Sequence, residues 1–206
     1  MEVDGKVAVV TGGGTGVGRA TALDLARRGC AVMVNYSRSK DEAEATAAEA
    51  AKLGVRALAF RADVADDAAC RALVDATVRE LGRVDVLVQS AGVTVFVPHA
   101  NLDAITSDDW TRLIGVNLIG AFQMARAVKA PMDAAGAGVI INVSSVAGVA
   151  GVGSSITYFA SKAGMNNLTI TLARAFPLVM LALGGLVAAR VISFYVGALG
   201  RAGLWR

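Results

Sequence analysis

The sequence predicts an α/β fold, a doubly wound parallel sheet with helices on both faces. Three observations predict it. Short apolar runs rich in Val and Ile recur through residues 1–175, as expected of strands buried on both faces. Helical stretches lie between them, and several stop at a glycine. The first apolar run opens straight into a glycine cluster that starts a helix. Strands and helices in alternation imply right-handed crossovers and a parallel sheet.

The elements follow in order. Val7 to Val10 is the first strand, and Gly12 to Gly18 is a loop opening a helix to about Arg28. Gly29 ends that helix, and Cys30 to Asn35 is the second strand. Lys40 to Leu53 is an Ala- and Glu-rich helix ended by Gly54, followed by a strand at Arg56 to Phe60. Asp66 to Leu81 is helical, ended by Gly82, and Val84 to Val88 is the fourth strand. Ser107 is the expected N-cap of the next helix, with Asp108 and Asp109 at its positive end. That helix runs on toward Val128. Val139 to Val143 is the fifth strand, and Ile156 to Arg174 another helix.

Composition bounds the class. The 206 residues suffice for one domain with a sizeable core. With 55% hydrophobic and 18% charged residues, the chain is not a disordered one. Its 23 Gly and 3 Pro suit tight turns between regular elements. The net charge of +3 resides in Arg190, Arg201 and Arg206, because residues 1–175 balance at 17 of each sign. The basicity therefore carries no nucleic-acid signal. Cys30 and Cys70 are too few for a disulfide framework and are expected as small buried side chains in a reducing compartment. The first apolar run is too short for a signal peptide, so a cytoplasmic location is expected.

The first motif is Thr11-Gly12-Gly13-Gly14-Thr15-Gly16-Val17-Gly18, between the first strand and the first helix. A pyrophosphate rests on a helix N-terminus at such a point, and glycines let the backbone approach it. The spacing departs from G-x-G-x-x-G, and an ordinary tight turn is the bland alternative. The second strand ends without the acidic residue that would hold the ribose of NAD. It offers Ser37 and Arg38, which suit a 2′-phosphate, so NADP(H) is the expected cofactor and NAD(H) the alternative. Asp63-Val64 follows the third strand, where a carboxylate suits an adenine amino group; an exposed turn aspartate is the other account.

The sharpest signal is Tyr158-Phe159-Ala160-Ser161-Lys162. Residues four apart share a helix face, and a nearby ammonium favours the phenolate form of a tyrosine. Such a phenol serves as an acid–base group. Ser145 lies just past the fifth strand, beyond the carboxyl end, where open α/β sheets bind ligands.

This set, with Asn117 in Val116-Asn117-Leu118, resembles the short-chain dehydrogenase/reductase family from about residue 5 to residue 174. Asn35-Tyr36-Ser37-Arg38-Ser39 is similar to the NADP-preferring 3-oxoacyl-thioester reductase branch. The resemblance implies a Rossmann-like NAD(P)-binding domain over 1–175 and hydride transfer between a nicotinamide and a carbonyl or secondary alcohol. By that resemblance Tyr158 donates the proton, and Lys162 assists it and binds the nicotinamide ribose. Ser145 polarises the carbonyl, and Asn117 holds a water linking Lys162 to solvent. Thr11, Gly12, Thr15, Gly16, Val17, Gly18, Ser37, Arg38, Asp63, Val64, Ala91 and Gly92 join Tyr158 and Lys162 around the cofactor. A homo-oligomer is expected if the fold is intact.

Two departures from the family stand out. Gln89-Ser90-Ala91-Gly92 replaces the usual Asn-Asn-Ala-Gly, so Gln89 is expected to brace the sheet less well. After Arg174 the family continues with a sixth strand, a Pro-Gly turn and a threonine that hold the nicotinamide, then a substrate lid. No Pro-Gly occurs here, and the last strands of the family fold are expected to be missing or replaced. Residues 176–206 form an apolar, basic tail rather than a separate domain, uncharged from Phe176 to Ala189. Three accounts of it stand. It is a membrane anchor, although Arg190 within the span costs roughly 2.5–3.5 kcal/mol. It packs on the sheet in place of the missing elements. Or it is the product of a shifted reading frame. A non-catalytic nucleotide-binding remnant is accordingly the alternative to an active enzyme. The lone His99 is expected as a solvated loop residue, and no metal-ligating cluster is evident.

Overall fold

The computed structural model describes residues 2–151, 153–176 and the strand 179–184. Its strands are β1 (Val7–Thr11), β2 (Ala31–Tyr36), β3 (Ala57–Arg61), β4 (Val86–Gln89), β5 (Gly138–Val143) and β6 (Val179–Gly184). They form one sheet in the order β3-β2-β1-β4-β5-β6, every neighbouring pair parallel. Its helices are α1 (Gly16–Arg27), α2 (Lys40–Ala51), α3 (Asp67–Leu81), α4 (Ser107–Ile114), α5 (Gly120–Ala135), α6 (Ala147–Ala150) and α7 (Ile156–Leu172).

The strands alternate their side chains between two cores. Ala8, Val10, Val32, Val34, Val86 and Val88 pack with Ala22 and Leu23 of α1 and Ala43 and Ala47 of α2. Val9, Met33, Leu87 and Ile140 face the other way, against Leu73 of α3, Met124 and Val128 of α5 and Leu172 of α7. Period-two alternation with apolar residues on both faces is what a sheet covered on both sides requires. Cys30 and Cys70 are both buried, and burial pushes each thiol up to about 12.

The missing sixth strand has a replacement. Val179–Gly184 pairs with β5 from Gly138↔Val179 to Val143↔Gly184. A short continuous apolar run satisfies a strand position without a family motif. Packing on the sheet therefore holds for this part of the tail. The anchor and reading-frame accounts were made for the whole of 176–206, of which residues 177–178 and 185–206 lie outside the described residues. Among the described residues, no helix is long and apolar enough to cross a membrane.

Three local differences stand out, two of them in the helix carrying Asn117. Its N-cap is Thr106, not Ser107. Thr106 and Asp109 form a reciprocal capping box, with Asp109 N–H donating to Thr106 Oγ1 at 3.1 Å and Thr106 N–H to Asp109 Oδ2 at 3.1 Å. Between α4 and α5 the backbone widens into one π-helical turn, Gly115–Ile119, with Asn117 at its centre. The short helix α6 follows the Ser144-Ser145 pair, where the sequence predicted no element.

Candidate active site

The strand order reverses between β1 and β4, and a cleft of about 720 Å³ opens beyond the carboxyl ends of the strands there. One end is walled by Gly12, Thr15, Gly16 and Val17, by Ser37 and Arg38 after β2, and by Asp63 and Val64 after β3. The other end is walled by Ala91, Gly92, Thr94 and Phe96 after β4, and by Ser144, Ser154, Tyr158 and Lys162.

The glycine loop is shaped by close backbone approach. Gly12 has φ +63, and a Cβ there would lie 2.9 Å from Ala91 Cα. A Cβ on Gly18 would sit 2.2 Å from the Gly12 carbonyl oxygen, so only glycine lets α1 begin against the loop. Thr15 caps α1 without any side-chain hydrogen bond, and its first turn holds no acid. That leaves the positive helix end uncommitted toward the cleft, as an anionic pyrophosphate requires. The residues present thus fit a dinucleotide. Thr11 lies behind the wall, where its Oγ1 accepts the Ala91 N–H at 3.2 Å and ties the two cofactor-side loops together. Gly18 likewise shapes the loop from outside the lining.

At the end of β2, Asn35 is buried and donates from Nδ2 to the Ala62 carbonyl at 2.9 Å. Its side chain is thus spent on joining β2 to the loop after β3. Arg38 is exposed on the cleft rim and makes no ion pair among the described residues.

Tyr158 and Lys162 lie one turn apart near the start of α7, capped by Ser155, whose Oγ accepts the Tyr158 N–H at 3.3 Å. Lys162 is 5% exposed, and its Nζ donates to the Val143 carbonyl at 2.9 Å. That Nζ also stands 5.8 Å from the Tyr158 ring centre. Burial pulls the Lys162 ammonium down to about 8.

Asn117 is fully buried and spends both amide N–H donors on protein. Nδ2 donates to the Val93 carbonyl at 2.9 Å and to Ser161 Oγ at 3.0 Å, while Oδ1 accepts the Val93 N–H at 2.8 Å. The π turn thereby joins the Gly92-Val93 loop to α7. Ser145 does not line the cleft as Ser144 does; its Oγ accepts the Ala147 N–H at 3.1 Å. His99 is not merely solvated: its ring meets Phe159 edge-on, with centroids 5.0 Å apart. Gln89 is buried with Nε2 unpartnered, as is Oδ1 of Asn142, its register neighbour on β5.

Sequence reasoning missed the wall formed by Thr94, Phe96 and Ser154. Thr94 and Ser154 share a hydrogen bond between hydroxyls at 2.5 Å, and Val97 N–H donates to the Ser154 carbonyl. These residues lie in loops with no periodicity to betray them. Arg112 and Val116 also line the cleft, one helical turn apart, the latter beside the Asn117 that carried the motif.

Comparisons with known proteins agree with this geometry. The family model described as short chain dehydrogenase matches residues 6–178. A 3-oxoacyl-[acyl-carrier-protein] reductase of Synechocystis sp. is 40% identical over 169 residues, covering 82% of this chain and 67% of the relative. Cis-4-hydroxycyclohexanecarboxylate dehydrogenase of Sinomonas cyclohexanicum is 41% identical over 165 residues, covering 80% of this chain and 64% of the relative. The crystal structure of NAD+-bound xylitol dehydrogenase has a TM-score of 0.81 at 34% identity, covering 88% of this chain and 69% of that one. The chain thus spans about two thirds of the length of these relatives. It belongs to the short-chain dehydrogenase family and is an NAD(P)-dependent oxidoreductase of that family.

Proposed function

We propose that the protein is an NADP(H)-dependent carbonyl reductase acting on 3-oxoacyl thioesters. The observation that carries this reading is one cleft holding both the glycine loop with Ser37-Arg38 and, at its other end, Tyr158 with Lys162. The names of relatives such as the Synechocystis reductase support the substrate class.

The nicotinamide, when bound, supplies a hydride to the carbonyl carbon. Tyr158 delivers the proton to the carbonyl oxygen from its phenol O–H, completing the alcohol. Lys162, one turn along α7, places positive charge beside the phenol and favours loss of that proton. Ser145, behind the lining residue Ser144, is assigned the hydrogen bond to the same carbonyl oxygen on turning its hydroxyl into the cleft, where it stabilises the developing charge. Asn117 braces the Gly92-Val93 loop against α7 and keeps Tyr158 in register with the cofactor. Gly12, Thr15, Gly16 and Val17 hold the pyrophosphate, with Thr11 and Gly18 shaping that loop. Arg38 and Ser37 take the 2′-phosphate, Asp63 and Val64 the adenine, and Ala91 and Gly92 admit the ribose. Exposed Trp110, Ile119 and Phe122 on α4, the π turn and α5 support self-association through this helical segment.

The test is NADPH consumption with the N-acetylcysteamine thioester of 3-oxobutanoate. Saturable, thioester-dependent oxidation of NADPH, much faster than with NADH, is the expected result. Tight NADPH binding without turnover of this or any other ketone would favour the non-catalytic alternative.

A further inference from the structure

We propose that Asn166 is a positioning residue that divides the work of the two neighbouring serines, holding Ser144 against α7 so that Ser145 is the one left to donate. This rests on the role given to Ser145 above.

Asn166 lies one turn beyond Lys162 and two beyond Tyr158, on the same face of α7. Its Oδ1 accepts the Ser144 hydroxyl at 2.5 Å, and its Nδ2 donates to the Gly148 carbonyl at 3.4 Å. One amide thus holds both ends of the segment 144–148. The same segment lies directly on α7: a Cβ at Gly148 would come within 2.7 Å of the Lys162 carbonyl carbon. Between the two anchors the chain closes on itself. The Ser145 carbonyl accepts the Gly148 N–H at 3.1 Å, and Ser145 Oγ accepts the Ala147 N–H at 3.1 Å.

A hydroxyl carries one donor and two acceptor sites. The Ser144 donor has two acceptors on α7, Asn166 Oδ1 at 2.5 Å and the Lys162 carbonyl at 3.4 Å, and the first is much the shorter. Ser145 is held through its acceptor side, which leaves its O–H uncommitted among the described residues. Asn166 also belongs to the helix that carries Tyr158. A single side chain therefore fixes the distance between the proton donor and the second hydrogen-bond donor on the substrate oxygen. Misplacement of such a group by about 1 Å costs on the order of 10²-fold in rate.

The experiment is a double-mutant cycle on thioester reduction. Asn166→Ala and, independently, Ser144→Ala are each expected to lower kcat by about 10- to 100-fold. In Asn166→Ala, NADPH affinity and the midpoint of the pH–rate profile stay at their unmodified values, because Asn166 lies outside the cleft lining and its amide bonds go to Ser144 and Gly148. Asn166→Asp keeps the acceptor for Ser144 and is expected to recover most of the rate. In a Ser145→Ala background, Asn166→Ala is expected to change kcat/KM by less than about twofold, since the group it positions is gone. Equal losses with and without Ser145 overturn the proposal alone. Absence of turnover by the unmodified protein overturns the role of Ser145, and this proposal with it.

Discussion

The ammonium of Lys162 stands 5.8 Å from the centre of the Tyr158 ring while donating to the Val143 carbonyl at 2.9 Å. One helical turn and one strand end thus fix the charge beside the phenol, with the side chain nearly enclosed. The enclosure costs stability, because desolvation disfavours the charged form.

A pH experiment exposes that cost. Burial pulls the Lys162 ammonium down to about 8 in the folded chain, from its ordinary 10.5 when unfolded. Between those values the unfolded state binds more protons, so this group's contribution to stability rises with pH from about 8 to 10.5 and is at its least favourable below 8. Lys162→Met is expected to stabilise the cofactor-free protein at pH 7 by on the order of 3 kcal/mol and to flatten that rise. Denaturant unfolding at pH 7, 9 and 10 checks it. A variant less stable at pH 7 would show that the Val143 contact outweighs desolvation.

Arg38 is expected to carry cofactor selectivity. Arg38→Ala should weaken NADPH binding about 10- to 100-fold, the loss of one charged contact to a phosphate, and leave NADH affinity within about twofold. Paired fluorescence titrations measure it. Parallel losses for both nucleotides would assign Arg38 to the fold instead.

Gln89 carries a buried Nε2 donor without a partner. Gln89→Met removes that donor at nearly constant volume and is expected to stabilise the protein by about 1 kcal/mol. Thermal or denaturant unfolding reads this directly. A loss of stability of that size would mean that Gln89 is satisfied in solution, and the weak-brace account of this position would fall.

Much of the fold was legible because it rests on runs that admit one solution. Val7 to Val10 and Val139 to Val143 are too short and too β-branched for helices, and the glycines at 29, 54 and 82 end the helices before them. Boundaries at polar residues were less legible. Thr106 and Ser107 are both good caps, and only the reciprocal bond with Asp109 decides between them. Strand β6 was hidden because Phe176 to Ala189 reads as one uncharged stretch, in which no polar residue separates the part that pairs with β5 from the rest.

The site divides the same way. Tyr158 and Lys162 were legible from helical spacing, and the glycine loop from its place between strand and helix. The π turn at Asn117 was not, since one inserted residue shifts the helical phase only once and sets up no repeat of its own. Ser145 was singled out over Ser144 only through the family resemblance, and the partners of the two serines, Asn166 for Ser144 and the Ala147 N–H for Ser145, were not legible.

The central claim is that Tyr158 donates the proton in a cleft built for NADPH, and Tyr158→Phe tests it most directly. The phenyl ring keeps the cleft's shape and loses only the hydroxyl. NADPH affinity is expected to stay within about twofold of the unmodified protein, while kcat for thioester reduction falls about 10²- to 10⁴-fold. Turnover within tenfold of the unmodified protein would contradict the account and return the proton transfer to another group.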